Sequence, residues 1–138
     1  MTAELITPEN VTIEQVRDLY EVALFDVTLD EENGFVVLDD EIVARAKLAE
    51  SKERLQLIAF YKVREDAERI DRLELVNRIN DQYVLIRAAI GDEDELWVDY
   101  GIVLKGGATK KQIAHATRMF LKVAEMAVKD CDEDGIVT

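Results

Sequence analysis

The densest group of potential metal ligands is the segment Asp130-Cys131-Asp132-Glu133-Asp134-Gly135. Acids at alternate positions followed by a glycine are typical of the first half of a calcium loop. The sequence ends at Thr138, before the bidentate glutamate that completes such a loop. We therefore expect residues 130–138 to form a frayed acidic tail, with weak calcium binding at Asp130, Asp132 and Asp134 as the alternative.

Catalytic patterns are missing from the sequence. His115 is the single histidine, and Cys131 is the single cysteine, set among acids that disfavour a thiolate. A general base needs an orienting partner and a nucleophile nearby, and no Gly-x-Ser-x-Gly motif is present. Gly106-Gly107 lacks the spacing of a phosphate loop and is explained by a turn. We predict no catalytic residues, no cofactor and no enzymatic activity.

A small-ligand protein or an enzyme remains the rival hypothesis. It would need a pocket in which polar groups converge, and Arg87, Asp99 and Tyr100 are the first candidates. Strict alternation along two paired strands would place Arg87 and Asp99 on one face.

Four aromatic residues on predicted strands are candidates for a protein interface: Trp97, Tyr100, Phe60 and Tyr61. Large aromatic groups are enriched at interfaces, and they equally fill the core beneath helices. Both placements stay open for each of the four.

The first helix is predicted from about Val11 to Leu24. Thr12 and Gln15 have capping-box spacing, in which each side chain satisfies a free backbone N–H. Thr7 with Pro8 is an alternative start. One face of the helix is apolar at helical spacing: Ile13, Val16, Leu19, Tyr20 and Ala23.

Three or four strands follow, within residues 25–29, 35–38, 41–49 and 55–62. Asn33-Gly34 is a strong hairpin signal between the first two. The third segment alternates, with Ile42, Ala44, Ala46 and Leu48 on one face. Residues 55–62 are apolar on both faces, which is typical of a central strand. If helices cover one face only, the other face keeps an apolar patch, and such patches usually mark an interface.

A second helix is predicted over residues 66–81. Its apolar side would consist of Ile70, Leu73, Val76 and Ile79, with Glu65, Asp66 and Glu68 in the first turn, where the helix dipole favours negative charge. A hairpin of strands 83–90 and 95–104 comes next. The last helix begins with a second capping box, Thr109 and Gln112, and faces the core with Ile113, Ala116, Phe120, Val123, Ala124 and Ala127.

The order helix, three or four strands, helix, two strands, helix predicts an antiparallel sheet that carries helices, the α+β class. A length of 138 residues with 49% hydrophobic residues fits a single domain with one core. Seventeen basic and 30 acidic residues give a net charge of −13, which opposes binding to nucleic acid or anionic membranes. Without a predicted signal peptide or membrane span, we expect a cytoplasmic protein.

The segment from Val76 to Ala127 resembles the YbjN family of bacterial sensory-transduction regulators. The resemblance rests on a helix ending in Asn77 and Asn80, a hairpin, a Gly-Gly break, and a Thr-x-x-Gln-Ile helix with the later Phe120. It implies a fold similar to type III secretion chaperones, commonly assembled as a homodimer, and no catalytic motif. Asn77 and Asn80 are interpreted as a helix cap and turn.

These observations predict a non-enzymatic, chaperone-like or regulatory homodimer that binds a protein partner through its sheet. A ligand pocket on the sheet is the alternative, and a calcium-responsive tail is the weaker one.

Overall fold

The computed structural model describes residues 5–29, 34–39 and 42–138. Its helices and strands are α1 (Ile13–Val22), β1 (Asp26–Leu29), β2 (Gly34–Asp39), β3 (Ile42–Leu48), β4 (Arg54–Lys62), α2 (Arg69–Gln82), β5 (Arg87–Ile90), β6 (Glu95–Val103) and α3 (Lys110–Cys131). The predicted α+β order is confirmed, with four strands before α2. Asn33 of the predicted hairpin turn lies outside the described residues.

The described strands form one antiparallel sheet in the order β1-β2-β3-β4-β6-β5. β4 lies between β3 and β6, as expected for a strand that is apolar on both sides. Alternate residues of each strand point to the helices, so the core lies on that one face of the sheet. Its largest fully buried side chains are Tyr20, Phe35, Phe120, Ile6, Leu55, Leu57, Leu75, Ile79, Leu96, Leu104, Ile113 and Leu121.

Both predicted capping boxes are confirmed. The backbone N–H of Gln15 donates to Oγ1 of Thr12 at 3.1 Å, and Oε1 of Gln15 accepts from the N–H of Thr12. Thr109 and Gln112 repeat this pair at α3. No helix among the described residues is long and apolar enough to cross a membrane.

The predicted start of α2 is wrong by three residues. The helix begins at Arg69, and Glu65, Asp66 and Glu68 precede it. The reason is Arg72, whose guanidinium donates to the backbone carbonyls of Arg64, Glu65 and Ala67. These bonds hold the preceding segment as a turn outside the helix, so the three acids do not occupy its first turn.

The predicted apolar side of α2 is confirmed in half of its residues. Ile79 is buried and Val76 packs against the core, but Ile70 and Leu73 are exposed, and Leu75 is buried in their place. Arg72 and Arg78 lie on the buried side because both guanidiniums bind backbone carbonyls; Nε of Arg78 donates to the carbonyl of Cys131 at 2.9 Å. The helix is therefore oriented by long-range hydrogen bonds as well as by its apolar residues.

The strand predicted from Tyr83 begins only at Arg87. The N–H of Tyr83 still donates to the carbonyl of Ile79, which makes Tyr83 the C-cap of α2. Val84 is almost fully exposed in the bend that follows. Asn80 then bonds β5 along its outer edge, with its side-chain amide donating to and accepting from the backbone of Ala88 at 3.1 and 2.8 Å.

The expected frayed tail is wrong as well. Both carboxylate oxygens of Asp132 accept backbone N–H groups, from Ile136 and Val137, at 2.9 Å each. Ile136 is buried, and Val137 forms an antiparallel bridge with Val63. The residues after α3 are thus part of the folded structure, because one acid of the run bonds the backbone instead of solvent.

A buried hydrogen-bond chain joins α1 to α3. The hydroxyl of Thr117 donates to the carbonyl of Ile113 and contacts the Tyr20 hydroxyl at 2.8 Å. Thr117 is the one buried polar side chain among the described residues. Because burial disfavours the phenolate, the pKa of Tyr20 is raised far above its ordinary value.

Replacement of Thr117 tests this chain. Thr117→Val should lower the free energy of unfolding by about 1–3 kcal/mol, since it leaves the Tyr20 hydroxyl buried without a partner. The double variant Tyr20→Phe/Thr117→Val removes both polar groups and should regain part of that loss. Urea denaturation gives both values, and a double variant less stable than Thr117→Val would contradict the assignment.

Asp132 offers a second test. Asp132→Ala should cost about 2–3 kcal/mol, since it removes two hydrogen bonds to a charged acceptor. Hydrogen exchange at Ile136 and Val137 should accelerate, whereas exchange in the central strand β4 should change only with global stability. Unchanged exchange at these two amides would show that the carboxylate does not hold the tail.

Candidate protein-binding surface

The sheet face opposite the helices is largely open. At one end, the residues from Val11 to Glu14 line a depression together with Lys47, Gln56 and Ile58. This open face consists of the outward side chains of β3 to β6: Val43, Arg45, Lys47, Arg54, Gln56, Ile58, Phe60, Lys62, Arg87, Ala89, Glu95, Trp97, Asp99 and Val103. They point outward because the alternate residues of these strands are buried beneath the helices. The surface is made by four adjacent strands and is therefore rigidly placed.

Phe60 and Trp97 form the centre of the open face. They are directly opposite each other on β4 and β6, and their rings meet edge to face with centroids 5.7 Å apart. Phe60 remains 45% exposed and Trp97 39% exposed. With Val43 and the half-buried Ile58 they form an apolar patch, defined here as the Phe60–Trp97 patch.

Arg87 and Asp99 border this patch. The two residues are paired across β5 and β6, which confirms the predicted common face. Nε and Nη2 of Arg87 donate to the two carboxylate oxygens of Asp99 at 3.1 and 2.6 Å. The carboxylate raises the pKa of the guanidinium by accepting these bonds. Each group satisfies the other, so the pair forms a polar rim more readily than a reactive centre.

Tyr61 and Tyr100 lie on the other side of the sheet. Both are half-buried and pack against the core. Burial and the nearby carboxylate of Glu125 raise the pKa of Tyr61 to about 12. The structure thus separates the four aromatic candidates into two pairs. Tyr100 lies on the opposite side of the sheet from Arg87 and Asp99, although all three line one depression of about 350 Å³.

A cleft opens beside the Phe60–Trp97 patch. The pairing of β3 with β4 ends at Arg45 and Ile58, and beyond these residues the strands diverge. The resulting cavity of about 600 Å³ is lined by Val43 and Phe60 of the patch and by Tyr61 of the opposite side. The open face therefore continues into a depression of mixed character, since α3 and the C-terminal residues also contribute Glu125, Lys129 and Asp132 to its lining.

The three candidate calcium ligands do not converge. Asp132 binds the backbone, and Asp130 accepts a hydrogen bond from the Tyr83 hydroxyl at 3.0 Å. Asp134 lies 3.6 Å from Nη2 of Arg78 and close to the carboxylates of Asp71 and Glu74. That acidic group is already neutralised in part by the arginine, so calcium would have to compete with a fixed cation.

His115 and Cys131 occupy different environments, both on α3. His115 is exposed, and Cys131 is buried at the end of the helix. Burial, with the Asp130 carboxylate adding to it, raises the pKa of the Cys131 thiol, so the reactive thiolate is disfavoured. In the part of the chain that the structure describes, the thiol of Cys131 contacts Oε1 of Gln82 at 3.7 Å.

Sequence reasoning missed one feature of charge distribution. The 25 residues from Tyr100 to Ala124 contain no acid, although 30 acids are spread over the rest of the chain. The same stretch carries five of the 17 basic residues: Lys105, Lys110, Lys111, Arg118 and Lys122. Counting acids in a moving window would have revealed this asymmetry.

A family model matches residues 12–133, which is most of the chain. The family is YbjN, described as "Putative bacterial sensory transduction regulator". This match confirms the resemblance found in the C-terminal half and extends it to the N-terminal helix. A sequence search of curated proteins finds no match.

Solved structures share the fold at low sequence identity. YbjN from E. coli, described as "a putative transcription regulator", superposes with a TM-score of 0.77 at 14% identity, covering 93% of this chain and 96% of that one. The HopA1-SchA chaperone-effector complex gives 0.59 at 10% identity, with coverages of 85% and 94%. The Yersinia pestis type III secretion chaperone SycH, in complex with a fragment of YscM2, gives 0.57 at 13%, with coverages of 86% and 98%. The predicted chaperone-like fold is confirmed.

Tyr61 generates a prediction about alkaline stability. Its pKa is raised from 10 in the unfolded chain to about 12 in the folded one, so the neutral form stabilises the fold. This stability is fully present below pH 10 and is lost as the pH rises toward 12. Tyr61→Phe should therefore lose less stability than the parent chain between pH 10 and 12.

Melting temperatures measured by circular dichroism at several pH values provide the test. The variant and the parent chain should melt at similar temperatures at pH 7, where both side chains are neutral. Parallel losses of stability above pH 10 would contradict the assignment of Tyr61.

Proposed function

The chain belongs to the YbjN family, and on this basis we propose that it is a non-enzymatic, chaperone-like or regulatory module that acts in the cytoplasm as a homodimer and binds a protein partner. The observation that carries the proposal is the exposed Phe60–Trp97 patch at the centre of a rigid sheet face. Aromatic residues surrounded by polar groups are typical of protein interfaces.

The shape of the open face and the pairing of its polar groups favour a protein over a small molecule as the ligand. Small ligands are usually bound in concave, largely enclosed pockets, whereas the patch is broad and its cleft is open along one side. The rim groups Arg87 and Asp99 are already paired with each other. A flat apolar centre with a satisfied polar rim matches the anatomy of a protein–protein contact.

Self-association is the first use proposed for this face. Two copies that meet through their open faces would bury the four apolar residues of the patch, which monomers would leave in water. A twofold contact places each side chain near its own counterpart or near a residue of the same patch, so one complementary surface is enough.

A partner protein is the second component of the proposal. The similar structures named above include two chaperones recorded in complexes with another protein, an effector and a fragment of YscM2. We extend that kind of activity to this chain because it has the same fold and an exposed apolar surface. The net charge of −13 would hasten encounter with a basic partner.

Replacement of Trp97 tests the proposed dimer. The parent chain should have twice its monomer mass of 15.7 kDa in light scattering coupled to size-exclusion chromatography. Trp97→Ser should raise the dimer dissociation constant at least about tenfold, as expected for a central aromatic residue of an interface. Its melting temperature should fall only slightly, because Trp97 lies outside the core.

Leu73→Ser is the matched control. Leu73 is 43% exposed on α2, close to the 39% of Trp97, but it is remote from the open face. This variant should stay dimeric across the same dilution series. A parent chain that is monomeric at every concentration would contradict the homodimer, and an early-melting Trp97→Ser variant would move Trp97 into the core.

A further inference from the structure

A second surface lies between the helices on the opposite side of the molecule. The C-terminal half of α1 and the N-terminal half of α3 enclose a groove of about 560 Å³, defined here as the α1–α3 groove. Its apolar walls come from Leu19 and Val22 of α1, from the C-cap residue Ala23, and from Ala114 of α3. None of these residues belongs to the open face of the sheet.

The other side chains along the groove are mostly cationic. Lys110, Lys111 and Arg118 line it, together with His115 and a single acid, Asp18. Three cations against one acid reverse the balance of the chain as a whole, in which acids outnumber basic residues by 30 to 17. The α3 side of the groove lies within the acid-free stretch from Tyr100 to Ala124.

The cations divide into one structural residue and two available ones. Arg118 donates to the carbonyl of Ala23 at 2.7 Å and stacks 4.4 Å above the Phe25 ring, so it fastens α3 to the end of α1. Lys110 and Lys111 are exposed, and neither forms an ion pair with another described residue. Their charges are therefore available to a partner.

Two apolar side chains beside the groove are almost fully exposed to solvent. Val22 is 83% exposed, and Leu24 is 87% exposed at a φ of 70°. Leu24 follows the helix at the position where glycine is usual, since a side chain is strained in the left-handed region. The bond from the N–H of Phe25 to the carbonyl of Tyr20 closes this turn. The leucine at this position is therefore unfavourable in two ways: its backbone is strained, and its apolar side chain is exposed to solvent.

We infer that the α1–α3 groove binds an acidic amphipathic helix of a partner protein. A groove between two helices accepts the apolar side of a third, with contacts at intervals of three and four residues. The exposed Val22 and the apolar walls suit that side of the helix, and Lys110 and Lys111 suit its acids. The groove residues are backed by helices, so no strand edge is offered to an extended peptide there.

Other anionic partners fit the molecule less well. Nucleic acid and anionic membranes present many phosphates over a wide surface, and a net charge of −13 repels them beyond the few groove cations. A single short helix approaches only the basic region. This binding is independent of the open face and of the homodimer proposed above.

The experiment uses the full chain and two fluorescein-labelled 18-residue peptides. Both place leucines at i, i+3, i+4 and i+7; the remaining positions are mainly glutamate in one peptide and lysine in the other. Fluorescence anisotropy should show saturable binding of the glutamate peptide only. The affinity should fall as salt is raised from 0.05 to 0.5 M, since exposed charges become screened.

Charge reversal locates the site. Lys110→Glu/Lys111→Glu should weaken binding at least about tenfold, because two attractive contacts become repulsive. Val22→Ser should weaken binding several-fold without altering the melting temperature, because the side chain is almost fully exposed. Lys52→Glu/Arg69→Glu is the matched control, since it makes the same change in charge at two exposed residues outside the groove and should bind as the parent does.

Four outcomes would overturn the inference. They are an absence of saturable binding, equal binding of the lysine peptide, equal losses in the two double variants, and loss of binding in Trp97→Ser with retention in Lys110→Glu/Lys111→Glu. Light scattering adds a further check. A fall from dimer to monomer in Lys110→Glu/Lys111→Glu would assign the groove to a second copy of this chain instead. Failure of peptide binding would leave the homodimer through the open face untouched.

Discussion

The covering of only one face of the sheet is the constraint from which the other features follow. A six-stranded sheet has two surfaces, and α1, α2 and α3 supply enough apolar area for one of them. β4 is one of the two central strands, and its outward side chains Ile58 and Phe60 are apolar, like the inward ones. The uncovered side must therefore be polar at its margins and apolar in the middle, which is the arrangement observed around Phe60 and Trp97.

The parts of the fold that depend on neighbouring residues were predictable from the sequence. Both capping boxes, the helical periodicity of α3 and the order of elements are expressed within a few residues of each position. α2 was less predictable because its orientation depends on distant groups. Arg78 donates a hydrogen bond to the carbonyl of Cys131, which is 53 positions away, and no local sequence pattern predicts that contact. The structure of the final residues was not predictable either. A run of acids is usually solvated, and no local pattern indicates that Asp132 accepts bonds from the backbone of Ile136 and Val137.

The residue types of the candidate site were predictable from the sequence, but the face of the sheet that stays exposed was not. Phe60 and Tyr61 are adjacent, and Trp97 and Tyr100 are three positions apart, so alternation alone requires the members of each couple to point to opposite sides. Which side is open depends on where the helices pack, and that is a property of the whole chain. Arg87 and Asp99 were placed together correctly because a short hairpin fixes its own register. The basic residues of α3 could have been recognised from the sequence, because residues 100–124 contain no acid. The net charge of the whole chain does not show this local difference.

The side-chain amide of Asn80 has a consequence for growth of the sheet. It occupies both outward backbone groups of Ala88, so a foreign strand finds no free partner at the middle of the β5 edge. At the opposite edge of the described sheet, β1 is a strand with which a strand of a separate molecule could join. Joining there is symmetrical, edge β1 to edge β1, and it uses up the edge of each molecule. Open-ended stacking into fibres would need two different free edges, and the Asn80 side chain blocks part of one of them.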